Sequence, residues 1–552
     1  MSANAAIYFE PEGYSITAPR LMGRNAAGYG FLNGFFRHAE VDHFVGVSAT
    51  PANAAPFRAL ATDAAVRQPV TMVHPNDTKA LQDIGCLFMP GPGLGQLARL
   101  RGIFDRRAYS LCGVTHTLLT DRVMDSLSAI LTDPIEEWDA IICTSKTALD
   151  TINTVIEAES ERLTTRLGAA KFTKPQLPII PLGVDCSRFH ISPDRKAKAR
   201  ARLGFDIDEV IVLYVGRLSF HAKAHPIAMY QALAYASKGA KVRLVEYGIF
   251  FNDPIRQSFE ELWTSLAPDI KRTVLDGASF ELGEDAWAAA DIFCSLSDNF
   301  QETFGLTPVE AMAAGLPALV SDWNGYRDTI RHTVDGFRIT TLAPESGFGT
   351  DLVNRYARGE DNYDHYCGVT SMAVAIDINE LNSSLYALIH NASLRKAMGE
   401  AGRARALATF DWRHIIPRYQ ELWKDLGERR NHTSENTILH HPWPARLDPF
   451  EAFKTYATYH LDKTTKLLRR DVWTKADIDQ ILALKSMALA ARLLPSSALL
   501  LDMIGQFASD TPRALEDLDL DDNFTDRERI ACLIVGLKIG ALALASPTSQ
   551  DY

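Results

Sequence analysis

Short apolar runs alternate with helical or loop segments through the first 430 residues of this chain. That alternation leaves few folds open, because strands joined by crossovers pair in parallel within an α/β sheet. In the first half the runs are Ala5–Phe9, Asp42–Ala49, Val70–His74, Ile84–Met89, Tyr109–Val114, Trp138–Thr144 and Leu177–Pro181. The polar stretch Cys186–Arg202 then reads as a linker or crossing helix. The pattern restarts with Val210–Val215, Lys241–Tyr247, Val274–Leu275, Ile292–Leu296 and Ala318–Ser321. A length of 552 residues exceeds one ordinary domain. The expectation is two α/β units in tandem, residues 1–190 and 205–430, with a helical extension over residues 445–552. Ligands of such sheets sit beyond the C-terminal ends of the strands, so the residues following each strand carry the functional argument.

Composition removes several classes. A net charge of -11 argues against broad nucleic-acid binding, which needs clustered Lys and Arg. Seven cysteines without a C-x2-C pair argue against a zinc module or disulfide framework. Cys86, Cys112, Cys143 and Cys294 lie in apolar runs and read as buried small hydrophobes. The N-terminus lacks the basic and apolar regions of a signal peptide, and no run of 18 apolar residues occurs. A reducing cytoplasm fits these features, with membrane association left open by the C-terminal region.

Beyond the first strand, Gly23, Gly28 and Gly30 surround an expected helix start, with Phe31, Leu32, Phe35 and Phe36 as its buried face. A glycine there lets backbone approach a ligand closely. Pro90–Gly95 (PGPGLG) follows the third of the runs from Asp42 onward as a flexible loop on the same side. Thr115-His116-Thr117 follows Tyr109–Val114. His116 could bond a sugar hydroxyl or a phosphate, although a lone histidine is more often structural. Thr144-Ser145 reads as a cap for a helix from Lys146. In the second half, Arg217 and Lys223 follow a strand with five residues between them. Two cations at a strand end suit a diphosphate, whose charge-assisted bonds contribute roughly 1.5–3 kcal/mol each.

The densest stretch is Asp298–Asp328, DNFQETFGLTPVEAMAAGLPALVSDWNGYRD. Glu302 and Glu310 stand with seven residues between them, and Phe304-Gly305 lie inside the interval. Glu310 falls in the first turn of an expected helix, Pro308–Ala314, where a carboxylate is electrostatically favoured. Alone, Glu302 is a loop charge and Glu310 a helix-start carboxylate; the whole frame makes them candidates for one site.

Together these pieces resemble the GT-B glycosyltransferases of family 4. The matching parts are GRLSFHAK (Gly216–Lys223), the frame Glu302–Glu310, EAMAAGLPALVSD (Glu310–Asp322), PLGVD (Pro181–Asp185) and the run Asp377–Trp412. The resemblance covers roughly residues 1–430 and implies two Rossmann-like domains facing a cleft. It implies that Arg217 and Lys223 bind the donor diphosphate and stabilise the leaving group. It implies that Glu310 holds ribose hydroxyls and Glu302 contacts the donor sugar. The backbone of Phe304, Gly305, Leu306 and Thr307 would lie along sugar and phosphates. His116 corresponds to the histidine near the reacting centre, and Gly28 to the glycine loop of the first domain. Ala27 stands where a second glycine is usual, Ala224 follows Lys223 where glycine is common, and SDWNGYRD leaves Asp328 in place of a glutamate.

The implied reaction moves a sugar from a nucleotide sugar to a glycan, lipid-linked or other glycoconjugate acceptor, with retention. No motif places a carboxylate as nucleophile, so same-face attack assisted by the departing diphosphate is expected. No metal is asked for beyond the cations and the Gly28 helix start. The competing readings are a nucleotide-sugar epimerase and a non-catalytic sugar-nucleotide-binding protein. An extra segment, Pro344–Thr370, reads as a surface insertion despite its DNYDHY content. The acidic run Asp517–Asp522 reads as a solvated loop. In the extension, Arg429–Pro444 reads as a linker, followed by helices over Pro449–Arg470, Lys475–Leu494, Ala498–Ala508 and Asp526–Ala545. The apolar stretch of the last suits buried packing; peripheral membrane contact or a homo-oligomer seam are its other readings.

Overall fold

The computed structural model describes residues 3–15, 23–433, 443–518 and 525–545. Residues Met1–Trp443 form one compact unit and Pro444–Tyr552 a second.

The first unit holds two six-stranded sheets. The first is built from β1 (Ala6–Tyr8), β2 (Phe44–Val47), β3 (Val70–Val73), β4 (Cys86–Phe88), β5 (Ser110–Val114) and β6 (Ala140–Ile142). The second uses β7 (Val210–Val215), β8 (Val242–Gly248), β9 (Lys271–Asp276), β10 (Ile292–Ser295), β11 (Ala318–Ser321) and β12 (Gly336–Ile339). Strand orders are β3-β2-β1-β4-β5-β6 and β12-β11-β10-β7-β8-β9. All pairings within both are parallel. Helices cover both faces, so β2, β5, β10 and β11 are buried along their whole length. In each sheet the order reverses beside the first strand, between β1 and β4 and between β7 and β10. Those reversals open the crevices in which doubly wound sheets hold ligands.

The expected run Leu177–Pro181 forms no strand; it makes isolated bridges such as Cys143 with Ile179. The strand Gly336–Ile339 was not anticipated, because GFRI is short and half polar. The helix Trp412–His432 closes the second half in sequence yet packs on the first. Its Ile415, Ile416, Tyr419, Trp423 and Leu426 share one core with Phe31, Phe35 and Phe44.

Two points concern the segments outside the sheets. Pro344–Thr370 is largely exposed, as expected of a surface insertion, and it is folded. A short antiparallel pair, β13 (Thr341–Leu342) with β14 (Ala375–Ile376), closes its base. Helices Thr350–Ala357 and Tyr363–Met372 fill it, and Cys367 and Ser371 are buried. The C-terminal unit is less helical than expected. Pro449–Arg470 holds one α-helical turn, Pro449–Ala452, and one 3-10 turn, Lys454–Tyr456, before β15 (Leu467–Arg469). The helix from Asp526 ends at Lys538, and the chain returns as β16 (Leu542–Leu544), antiparallel to β15. Gly540, with φ of 79°, makes that turn, which an uninterrupted helix could not. Residues 519–524, most of the acidic run, and residues 434–442 of the linker lie outside the described residues. No described helix is long and apolar enough to cross a membrane.

Candidate active site

Arg217 and Lys223 follow β7, and Glu302 follows β10, so the reversal of strand order brings them to one crevice. Lys223 Nζ donates to Glu302 Oε2 at 3.0 Å. Glu302 Oε1 accepts from the backbone N–H groups of Thr303, Phe304 and Gly305 at 3.3, 3.4 and 3.0 Å. Burial alone would raise its carboxyl pKa, but Lys223 and those N–H groups outweigh burial and hold it below the usual value. Glu302 is thus an ionised anchor. Arg217 makes no ion pair among the described residues, and its buried Nε has no hydrogen-bond partner.

The helix Leu306–Ala313 begins two residues earlier than expected. Gly305 precedes it with φ of 89°, and a Cβ there would lie 2.2 Å from the Tyr326 ring. Only glycine satisfies both the left-handed backbone and the close ring. No side chain caps this helix start, so its first N–H groups remain available. The Phe304 side chain is buried in the core, leaving only its backbone at the crevice. Glu310 lies in the first turns of the helix, half-buried, with no hydrogen bond or ion pair to its carboxylate among the described residues. Burial pushes its pKa up to about 7, and the charge of Arg188 opposes the rise only in part. Tyr247 feels the Glu310 charge and donates to Ser279 O at 3.1 Å. Sequence reasoning missed Arg188, which follows the PLGVD motif by three residues, and Tyr247, the penultimate residue of β8.

The opposite wall comes from the first sheet. Thr303 Oγ1 donates to His116 O at 2.9 Å across the crevice. Burial and the Arg24 charge lower the His116 pKa to about 4, so its imidazole is neutral at physiological pH. Gly28 is not at a helix start. It lies inside the helix Gly23–His38, where a Cβ would meet Gly13 O at 2.3 Å. Its lack of a side chain therefore serves the approach of the Pro11–Tyr14 turn. Asp328 makes a second contact across the crevice: its Oδ2 accepts from Lys146 N at 2.6 Å, at the start of a helix that Ser145 caps. Asp298, unassigned by the sequence, is buried, with Oδ1 lacking a partner, and burial raises its pKa to about 7. Among the described residues no three His, Cys, Asp or Glu side chains are grouped to hold a metal ion.

Two facing Rossmann-like sheets with this crevice define the GT-B class of fold. In line with it, a crystal structure of Anabaena HepE in complex with UDP-glucose covers 76% of this chain and 100% of that chain, with a TM-score of 0.51 and 16% identity. The same protein with UDP and glucose gives a TM-score of 0.52. Residues 195–346 match the family model described as Glycosyl transferases group 1, so the chain carries a domain of that kind. An uncharacterized glycosyltransferase of Methanocaldococcus jannaschii is 27% identical over 165 residues, 30% of this chain and 40% of the relative. A D-inositol 3-phosphate glycosyltransferase of Rhodococcus jostii is 25% identical over 49% of this chain and 60% of its own length. A GDP-mannose-dependent alpha-(1-6)-phosphatidylinositol dimannoside mannosyltransferase of Mycobacterium tuberculosis is 28% identical over 38% of this chain and 47% of its own. The chain spans about two fifths of the length of the first curated relatives it matches.

Proposed function

We propose that the protein is a retaining glycosyltransferase that moves a sugar from a nucleoside-diphosphate sugar to a glycan, lipid-linked or other glycoconjugate acceptor. One observation carries this reading. The Lys223–Glu302 pair joins the residues that follow β7 and β10 at the reversal of strand order, and Arg217, which also follows β7, makes no ion pair among the described residues. The group 1 domain match over these residues supports it.

In this scheme Arg217 and Lys223 take the diphosphate, and the uncapped start of the helix Leu306–Ala313 adds N–H groups. Glu310 accepts from the ribose hydroxyls and Glu302 from a sugar hydroxyl, while the backbone of Phe304–Thr307 borders the sugar and phosphates. The bond from the anomeric carbon to the diphosphate oxygen breaks as the acceptor oxygen attacks from the same face. The acceptor proton passes to the departing diphosphate. His116, neutral above about pH 4, holds a sugar hydroxyl near the reacting centre. Catalysis then rests on positioning and on charge stabilisation of the leaving group, with no cofactor beyond the nucleotide sugar. The family implied by the sequence assigns the first-sheet side to the acceptor.

Incubation with a panel of nucleotide sugars tests the reading: transfer or slow hydrolysis of one donor is expected. Lys223→Ala should lower turnover at least about tenfold without shifting thermal unfolding by more than a few degrees. Epimerised donor, or binding without turnover, overturns the reading.

A further inference from the structure

The loop of residues 216–226, which carries Arg217 and Lys223, runs from β7 to the helix Ile227–Ala236. It has no regular structure beyond turns and one isolated bridge, Leu218 with Phe250. Three consecutive residues after β10 fix it from the side. Ser297 Oγ donates to Lys223 O at 3.2 Å, Asp298 Oδ2 accepts from His225 N at 3.2 Å, and Asn299 Nδ2 donates to His221 O at 2.6 Å. All three are buried. Within a strand, successive side chains point to opposite faces. Here the chain has left β10, and three successive side chains converge on residues 221–225. Asn299 reaches further. Its Oδ1 accepts from Gln301 N at 2.8 Å, and its Nδ2 also donates to Ser371 Oγ at 3.1 Å. One amide thus joins the loop of Lys223, the loop of Glu302 and the segment between β13 and β14. That segment adds Cys367, whose Sγ accepts from Gln301 Nε2 at 3.5 Å, and Gly368, where a Cβ would lie 3.1 Å from His221 Cβ. A carboxylate as buried as Asp298 is a costly means of holding one backbone N–H, and an ordinary surface turn needs none of these bonds.

We propose that Ser297, Asp298 and Asn299 are positioning residues, which hold the backbone at 221–225 so that the Lys223 amine meets the donor diphosphate within reach of Glu302. The inference rests on the function proposed above, which gives Lys223 the diphosphate. Lysine is a point charge on a flexible stem, so the place of its amine depends on where its backbone is held. The Ser297 and Asn299 side chains are engaged by protein groups, so their effect on a ligand passes through the loop. Through Ser371 and Gly368 the segment 343–374 braces the same loop from its other side.

Double-mutant cycles on the full-length protein test this, read by calorimetric titration with the uridine, guanosine, adenosine, cytidine and thymidine diphosphates. For the diphosphate that binds, Ser297→Ala should weaken affinity about threefold and Asn299→Ala about tenfold. In the Lys223→Ala background neither substitution should weaken it further, because residues that act through one group are not additive. A loss of the same size in both backgrounds reports a general loosening of the crevice and overturns the positioning role, as does no loss in either. Ser297→Ala removes one hydroxyl and leaves the packing intact, so its cycle decides alone if Asn299→Ala does not fold. Failure of the unaltered protein to bind any diphosphate, or full affinity in Lys223→Ala, removes the donor-site reading itself, and the positioning role with it.

Discussion

Glu302 and Glu310 are eight positions apart and face opposite electrostatics. Glu302 has a cation and three N–H groups, which more than offset burial; Glu310 has burial and only the partial help of the Arg188 charge. The sign of the consequence follows from linkage. Glu310 has a folded pKa of about 7, above its unfolded value, so the ligand-free fold keeps a proton that the unfolded chain releases. That contribution to stability is full below about pH 4.5 and is lost as pH rises toward 7. Glu310→Gln should therefore raise the melting temperature of the ligand-free protein at pH 8 and leave it nearly unchanged at pH 4.5, as calorimetric scans would record. Ribose hydroxyls donating to the carboxylate favour its ionised form. Affinity for a free nucleoside diphosphate should accordingly fall as pH drops through 7, and Glu310→Gln should bind about tenfold more weakly at pH 8 with a flatter pH profile. Asp298, also near 7, titrates in both proteins, so their difference reports Glu310.

At the scale of elements, the helix Trp412–His432 decides how the first half is finished. Its first residue, Trp412, fills a slot between Gly34 of the helix Gly23–His38 and Gly183 of the PLGVD motif. A Cβ would lie 2.6 Å from the indole at Gly34 and 2.4 Å at Gly183. Trp412→Ala empties this slot and should cost about 3–5 kcal/mol in urea unfolding, as for other large core truncations. Gly34→Ala should cost about 1–3 kcal/mol through overpacking. Each partner was visible in the sequence as a separate motif. Their contact was not, because nothing local says that a tryptophan at position 412 needs the absence of a side chain at positions 34 and 183. The glycine at position 28 misled for the same reason: a glycine-rich run before an apolar helix fits a ligand loop as well as it fits a close backbone crossing.

At the scale of the first unit, contacts across the crevice hold the two sheets in register. Thr303 reaches His116, and Asp328 supplies a carboxylate to the start of the helix Lys146–Leu167. A carboxylate at a helix N-terminus contributes about 0.5–2 kcal/mol. Asp328→Ala should thus loosen this closure, seen as faster amide exchange at the first turn of that helix and a larger radius of gyration in solution scattering. Strand exchange in β5 and β10 should not change, because those strands lie within each sheet's own core.

By itself the sequence determined the α/β class, eleven of the twelve sheet strands, and the candidates Lys223 and Glu302 that the fold pairs. These depend on local periodicity and on motifs short enough to be read in one window. Only the tertiary structure decided which helix completes which half, that Gly28 serves packing, that the last predicted helix breaks into a hairpin strand, and that the segment 343–374 borders the crevice. Those outcomes depend on contacts between residues far apart in the chain, where a missing Cβ acquires meaning from its neighbour in space.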